Sequence, residues 1–554
     1  MAAFKNVPEA FRAVARTHPD KTALIYLGAR YDFGRLWSLA QAFADSLERV
    51  GIGPGDRVLI YLPNSPQWVV AWLGILIRGA VAAPLTPIYP ARDLEFAARD
   101  SGATAVVCSN ANFGYVLQVL PKTNLRTVIH TKASDLLPVW KKVLGVMFDK
   151  IPRGRVARGP MFHSFRDLLA RGKNRDRDCP ASPGDLAEIL YTGGTTQAPK
   201  GVPFSHELLL DPVEIQLRTA HPVIPPGENT VLLATPLFHI LGQTFGLGAM
   251  YLFAEKVILM PYLNPDGLMD AIQREKAKSI FAVPSLYRIL LEHDRLGLYD
   301  LSSLRYCFSG GDVFPGQVGE RWRDRLGVSI LQGYGATETG GGVSLSPPDR
   351  ENPPQAAGLP LAVKRLRIVE PMTLRDLPPG KAGELLVGSD PMVSGYWNRP
   401  RETAAAFIEL DGLLWYRTGD IMRLDEKGYL YFVDRVSDAI YTRGRRVSVS
   451  EIEAAIQAHP AVTAACVVGV PDPDPEAGER IKTFVVLKDN QRGLGGQELL
   501  DWLGTRLPPH KVPRYVEFRD TLPKSKVGKL LRRELRGEEQ QRLKKSEWDE
   551  AVKD

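Results

Sequence analysis

Short apolar runs alternate with apolar segments of helical spacing from the first residues onward. That alternation limits the folds open to this chain more than any other feature. Strands are expected at 23–27, 57–62, 80–85 and 103–108, and helices at 8–17, 36–50, 68–78 and 93–101. The GIGPGD turn at 51–56 separates two of them. Strand–helix–strand repeats favour parallel strands covered by helices. The rhythm resumes with strands at 231–234, 256–260, 279–282 and 303–309. After residue 360 it gives way to short strands between Gly/Pro turns, at 383–387, 412–416 and 429–433, which indicates a β-rich subdomain. A compact βαβ-like unit follows: a helix at 451–458 with Ser450 as N-cap, strands at 461–470 and 481–488, a helix at 497–507 and a charged helical tail from Leu530. The expected fold is α/β. A large N-terminal domain of layered α/β subdomains plus a β-rich subdomain spans 1–433, the segment DRVSD at 434–438 is the hinge, and a small α+β C-terminal domain spans 439–554.

At 554 residues the chain exceeds one simple core. Its 70 basic and 63 acidic residues leave a net charge of +7, well mixed along the sequence. That suits anionic small ligands and gives no nucleic-acid footprint. The four cysteines, Cys108, Cys179, Cys307 and Cys466, form no CxxC or Cys/His cluster, so a zinc site and a disulfide frame are not expected and a reducing cytoplasm fits. The N-terminus lacks an apolar signal core. The uncharged stretch at 231–254 carries Pro236, His239, Gln243 and several glycines, which favours a buried core segment over a membrane span. Residues 130–180 break the α/β rhythm with basic and mixed-charge runs. A surface excursion is expected there, and a patch touching a membrane surface is the alternative.

One stretch points to chemistry. YTGGTTQAPKGV at 191–202 follows an apolar run and sets Gly193 and Gly194 beside Thr195 and Thr196, with Lys200 close behind. Glycines let a backbone approach an anion, threonine hydroxyls donate and a lysine adds charge, as a phosphate-gripping loop requires. An ordinary Gly/Thr turn is the plain alternative. Further polar, glycine-rich segments follow in order: SGGD at 309–312, QGYGATETG at 332–340, YRTGD at 416–420, RGRRV at 443–447 and PKSKVGKL at 523–530. Each alone has a plain reading as a strand exit, a cap or a surface loop. No GxxxxGK[ST] loop or strand-linked GxGxxG competes with them.

In order and spacing, these segments resemble the core motifs of the adenylate-forming superfamily, which includes acyl-CoA synthetases, adenylation domains and firefly-type luciferases. The resemblance extends from about residue 8 to 535. It implies ATP, Mg²⁺ and coenzyme A as reactants or cofactor, and a carboxylic acid joined to AMP before transfer to a thiol. It implies that Thr192, Gly193, Gly194, Thr195, Thr196 and Lys200 grip the phosphates, and that Glu338, with Thr195 and Thr337, places Mg²⁺. Tyr334 would stack on adenine, lined by Gly310, Gly311, Asp312, Gln332, Gly333 and Gly335. Asp420 would accept the ribose hydroxyls, with Arg435 beside it. Lys529 would bridge the attacking carboxylate and the α-phosphate. The small domain would be mobile, pivoting at Ser437, and Arg443, Gly444 and Arg445 would line the coenzyme A path. His239, in PLFHILG, is either a core histidine or, as the resemblance implies, a substrate-side group.

For the acid, the resemblance is greatest to medium- and long-chain fatty acyl-CoA synthetases. Acetate-specific relatives close the acyl pocket with a tryptophan where this chain has Gly335. Phe238 and Gly242 sit in an apolar, small-residue segment that suits an aliphatic chain or a flat ring. Aromatic or alicyclic acids, transfer to a carrier protein, a luciferase-like oxygenase and a non-catalytic nucleotide binder stay as alternatives. So do peripheral contact with the inner membrane and a homodimer. The chain departs from the family pattern at Gly193, Gln197, Asp434, Ser437 and Val449, and none of these removes a catalytic group.

Overall fold

A computed structural model describes residues 4–138, 156–192, 199–261, 263–312, 314–442, 445–472, 478–488, 493–523 and 530–544. Two large sheets carry the N-terminal part. The seven-stranded sheet runs in the order Phe162–Ser164, Thr127–Thr131, Ala105–Ser109, Arg57–Tyr61, Val81–Pro84, Leu186–Thr192, Lys200–Ser205. All its pairings are parallel except the last, a hairpin. The nine-stranded sheet starts at Leu359–Pro360, passes through Gly341–Leu345, Ile330–Ala336, Tyr306–Ser309, Ser279–Ala282, Thr230–Leu233 and Lys256–Leu259, and ends on the hairpin Thr22–Tyr26/Ala29–Asp32. That hairpin is antiparallel, an edge that alternation of strand and helix does not announce.

The helix Pro66–Ile77 shows why the core forms here. All twelve of its residues are buried, so it has no polar face and needs apolar neighbours on every side. Ser65 caps it, accepting from the Trp68 N–H at 3.3 Å, and Pro66 occupies the first turn. Trp72 stacks on both Trp68 and Tyr251, with ring centroids 6.2 Å apart in each case. Gly74 admits the neighbouring helix Phe33–Arg49: a Cβ there would lie 2.7 Å from Phe43 Cδ1.

The uncharged 231–254 stretch is core, comprising a strand, a short helix, a π-helical turn at Gln243–Gly248 and the helix Ala249–Phe253. Among the described residues no helix is long and apolar enough to cross a membrane. The 130–180 region is only partly an excursion. Phe162–Ser164 adds an edge strand to the sheet, and Phe165 and Leu168 of the helix Phe165–Arg171 are buried. Its mixed-charge end is tied inward, since Arg12 pairs with Asp176 at 2.7 Å and Arg177 with Asp45 at 2.9 Å. The basic runs at 140–142 and 152–155 lie largely or wholly outside the described residues.

The β-rich part is a five-stranded antiparallel sheet built around the twelve-residue strand Leu413–Leu424. The last part has a three-stranded sheet, Val462–Pro471, Glu479–Leu487 and Tyr515–Phe518, with helices Val449–Gln457, Gly496–Gly504 and Arg532–Lys544. Ser448, and not Ser450, caps the first of these helices, accepting from the Glu451 N–H at 3.4 Å. The Ser-x-x-Glu spacing at 448–451 is the capping signal that marks the earlier serine. The cysteines are free. Burial pushes the Cys108, Cys307 and Cys466 thiols up to about 12.

Behind the nine-stranded sheet, Trp322 is fully buried and meets Tyr287 edge-on at 5.0 Å. We expect Trp322→Ala to destabilise the protein by about 3–5 kcal/mol, because a large cavity replaces the ring. Urea unfolding measures this, and a loss under about 1 kcal/mol would mean that the surrounding side chains refill the space.

Candidate active site

The glycine–threonine stretch lies in sequence between the paired strands Leu186–Thr192 and Lys200–Ser205. Thr192 faces Lys200 across the ladder, and its hydroxyl donates to the Lys200 carbonyl at 3.3 Å. Gly193, Gly194, Thr195 and Thr196 lie outside the described residues. Lys200 extends its ammonium over the Tyr396 ring, 4.6 Å from the centroid. The Tyr396 hydroxyl donates to Glu338 Oε1 at 3.0 Å. A cation and a carboxylate therefore meet across one tyrosine. The next residue, Trp397, donates its backbone N–H to the Gly201 carbonyl at 2.8 Å. Its indole donates to the Asp100 carbonyl, and Asp100 accepts from Tyr191 at 3.0 Å and pairs with Arg399 at 2.5 Å.

Glu338 sits in the 3-10 turn Thr337–Thr339, after the strand Ile330–Ala336 leaves its parallel neighbour. The Thr339 hydroxyl donates to the Ala336 and Gly341 carbonyls at 2.8 Å, which fixes the turn. Burial pushes the Glu338 carboxyl up. Hydrogen bonds, including that from Tyr396, and the Lys200 charge pull it back. Lys364 braces the same turn, with its buried ammonium donating to the Thr339 carbonyl at 2.6 Å and to Ser389 at 3.0 Å. Burial lowers Lys364 to about 8.

A second cluster forms where the nine-stranded and five-stranded sheets meet. The Tyr334 hydroxyl donates to Asp420 Oδ2 at 2.6 Å, and Arg435 Nε lies 3.3 Å from Asp420 Oδ1. Asp420 and Arg435 are register partners on neighbouring strands. Burial and the Asp420 charge hold the Tyr334 phenol well above its ordinary range. Gly310, Gly311 and Asp312 follow the strand Tyr306–Ser309. Gly311, at φ +86°, turns the chain and leaves Asp312 exposed. Gln332 and Gly333 lie on the strand that also carries Tyr334, and a Cβ on Gly333 would come within 2.5 Å of Leu345. A Cβ on Gly335 would meet the Gly341 carbonyl at 2.4 Å, so strand pairing itself requires glycine there.

His239 and Phe238 sit on a separate loop, where His239 is exposed and begins the helical segment after it. A Cβ on Gly242 would lie 2.1 Å from the Pro236 carbonyl, so this glycine lets the loop fold back on its helix. Lys529, Arg443 and Gly444 lie outside the described residues, and Arg445 is described only as part of the strand Arg445–Val447.

The segment expected as a hinge is gripped from both sides. Asp434 is buried and accepts from the Val449 N–H at 2.8 Å, and the Ser448 hydroxyl donates to the Val433 carbonyl at 3.1 Å. The carbonyls of Ser437 and Asp438 accept from Arg536 at 2.9 and 3.0 Å, and the Asp438 carboxylate pairs with Arg532.

Sequence reading did not find Tyr396, Trp397, Asp100 or Lys364. An aromatic pair directly after Gly395, in a polar loop, is the signal that was present for the first two. Lys364 carries none, because nothing in a KRLRIV strand marks its first residue as buried.

The chain matches the profile of the AMP-binding enzyme family over residues 11–397 and of the AMP-binding enzyme C-terminal domain over 451–529. It belongs to that family. It is 35% identical to a long-chain-fatty-acid–CoA ligase of Escherichia coli O6:H1, over 97% of this chain and 95% of the other. It is 32% identical to the enzyme of the same name from Bacillus subtilis, over 95% and 93%. Among solved structures, the anthranilate CoA ligase AuaEII in complex with anthranoyl-AMP shares the fold, with a TM-score of 0.85 at 23% identity and 98% coverage of both chains.

The Asp434 contact generates a test. Asp434→Ala leaves the buried Val449 N–H without its acceptor, at an expected cost of about 1–3 kcal/mol. Amide exchange at residues 449–457 should quicken, and protection equal to wild type would show that the contact carries no weight.

Proposed function

We propose that this chain activates a carboxylic acid in two half-reactions. A carboxylate oxygen attacks the α-phosphorus of ATP, the bond to pyrophosphate breaks, and acyl-AMP forms. The thiolate of coenzyme A then attacks the acyl carbon and AMP leaves. The carrying observation is that one site holds both the Lys200–Tyr396–Glu338 contact and the Tyr334–Asp420–Arg435 cluster, in a chain 35% identical to a fatty-acid ligase. The first supplies a cation and a carboxylate where phosphates need screening. The second supplies an aromatic face, a hydroxyl acceptor and a cation for a nucleoside.

In this reading 1–433 binds ATP and acid, 434–438 is the hinge and 439–554 brings Lys529 to the reacting oxygens. Thr192 to Thr196 and Lys200 hold the β and γ phosphates. Gly310 to Asp312 and Gln332 to Gly335 line the adenine. His239, Phe238 and Gly242 belong to the acid side, and Arg443, Gly444 and Arg445 to the coenzyme A path. Glu338 suits Mg²⁺, which uses few protein carboxylates alongside substrate phosphates. Bound there with Thr195, the ion would neutralise charge on the departing pyrophosphate. A reducing cytoplasm suits both the substrates and the free thiols.

The acid is proposed to be a medium- or long-chain fatty acid, as the names of the relatives suggest. Each buried CH₂ contributes about 0.8 kcal/mol, so kcat/KM should rise roughly fourfold per carbon until the pocket is filled. Acid-dependent pyrophosphate release, assayed from acetate to stearate and with benzoates, tests this. A flat profile, or activity with benzoates alone, contradicts a fatty acid. Transfer to a carrier protein predicts acyl-AMP formation without coenzyme A turnover.

Lys529→Ala should lower adenylation about 10²–10³-fold, the scale of one preorganised charge contact. Thioester formation from supplied acyl-AMP should persist. Equal loss in both half-reactions would remove Lys529 from the role given to it.

A further inference from the structure

Glu188 is fully buried on the strand Leu186–Thr192, yet no step of the chemistry uses it. One of its oxygens, Oε2, accepts from Trp72 Nε1 at 3.0 Å and from Gln243 Nε2 at 3.2 Å. Gln243 Nε2 also donates to the Leu237 carbonyl at 3.1 Å, so both amide hydrogens are engaged. The Leu237 N–H in turn donates to Asn64 Oδ1 at 2.8 Å, and Asn64 Nδ2 donates to the Thr235 carbonyl at 3.1 Å. Two side-chain amides, Asn64 and Gln243, therefore hold the backbone of 235–237. Gly242 presses on the same loop at Pro236. The loop ends in Phe238 and exposed His239.

We propose that Glu188 is a positioning residue for the acid side of the site: through Gln243 it ties the 235–239 loop to the strand that ends at the phosphate-gripping hairpin. The inference rests on the acid-activating function proposed for the chain. The strand runs four residues beyond Glu188 to Thr192, where the glycine–threonine loop begins. The network thus sets the spacing between the 235–239 loop and the strand end at Thr192. A carboxylate and an α-phosphate react only when held at near-attack separation, so that spacing bears on the first half-reaction.

The oxygens left over sharpen the assignment. Glu188 Oε1 and Gln243 Oε1 are both buried and have no hydrogen-bond partner among the described residues. Buried acceptors without a donor are costly, and a proton on Glu188 Oε1 would make that oxygen a donor instead. Burial pushes the Glu188 carboxyl up to about 7, against the pull of its two N–H bonds. An uncharged glutamine at 188 can reproduce both accepted bonds and also offer a donor.

Four full-length variants test the proposal: Glu188→Gln, Glu188→Leu, Gln243→Leu and the two leucine changes combined. KM for acid and for ATP is read from acid-dependent pyrophosphate release, with thermal melting as the control for folding. Glu188→Gln should leave both KM values within about twofold. Each leucine variant should raise the acid KM about tenfold, leave the ATP KM within about twofold and quicken amide exchange in residues 235–243. The double leucine variant should be no worse than the weaker single one, because both break one chain of bonds. If Glu188→Leu does not fold, Gln243→Leu carries the same comparison. The proposal is overturned if both KM values rise together, if neither moves, if Glu188→Gln loses as much as Glu188→Leu, or if exchange in 235–243 is unchanged. A wild type that releases no pyrophosphate with any acid removes the proposed function instead, and amide exchange still decides whether Glu188 braces the loop.

Discussion

Asp420 accepts the Tyr334 hydroxyl at 2.6 Å and faces Arg435 at 3.3 Å, and this one carboxylate joins the two sheets. Tyr334 comes from the nine-stranded sheet, while Asp420 and Arg435 lie on neighbouring strands of the five-stranded sheet, Arg435 at the end of the strand leading to the small C-terminal part. A carboxylate only 7% exposed is stable there because a phenol and a guanidinium replace its lost water. The bond also sets the Tyr334 ring where the two sheets converge. Without it the β-rich sheet would still form, since its ladders are internal, and the Lys364–Thr339 bond and the apolar cluster of Val343, Ile368, Leu385 and Met422 would be left to hold it to the strand that carries Tyr334.

The second joint works by a different force. Lys200 and Glu338 do not pair directly, and Tyr396 stands between them. The ring takes the cation on its face and its hydroxyl donates to the carboxylate. A direct ion pair would neutralise both groups and leave neither free for phosphate or metal. Placing a tyrosine between them keeps both charges in reach while satisfying each. Lys364 beneath the Thr337–Thr339 turn follows the same pattern, since its donors go to a carbonyl and a hydroxyl and not to the Glu338 carboxylate.

Much of this was legible in the sequence, and the reasons it was legible are physical. Strand and helix alternation is a period, and it placed eight of the sixteen strands of the two large sheets to within a few residues, and the fully buried Pro66–Ile77 helix as well. Gly311, Tyr334, Glu338 and Asp420 were singled out by the order and spacing of several motifs that resemble the adenylate-forming superfamily, each motif alone having a plain reading. The antiparallel edge Ala29–Asp32 did not stand out, because a four-residue strand has no period to read. Tyr396 was hidden because its role depends on a partner 58 residues away. Glu188 was hidden differently: in an AEIL run a single acidic residue reads as the solvent face of a strand, and only the packing of Trp72 and Gln243 against it shows that no solvent is there.

The contacts around 434–438 limit how the two parts can move. A pivot at Ser437 leaves Val433 and Asp434 on one side and Ser448 and Val449 on the other, so the two hydrogen bonds between them cross the pivot. Any large rotation at Ser437 has to break both. The Asp438–Arg532 pair and the two Arg536 bonds lie wholly on the C-terminal side and move with it. If the chain pivots at Ser437, the arrangement described is one end-state, and at least three hydrogen bonds cross that pivot, these two and the one from Arg288 to the Thr463 carbonyl at 3.3 Å, each of net worth about 0.5–1.5 kcal/mol. An equilibrium offset of that size is small enough for ligands to tip through differential contacts alone. In that case Asp434 acts as a latch, and its strength sets how far the resting population favours the arrangement in which the Val449 N–H is bonded.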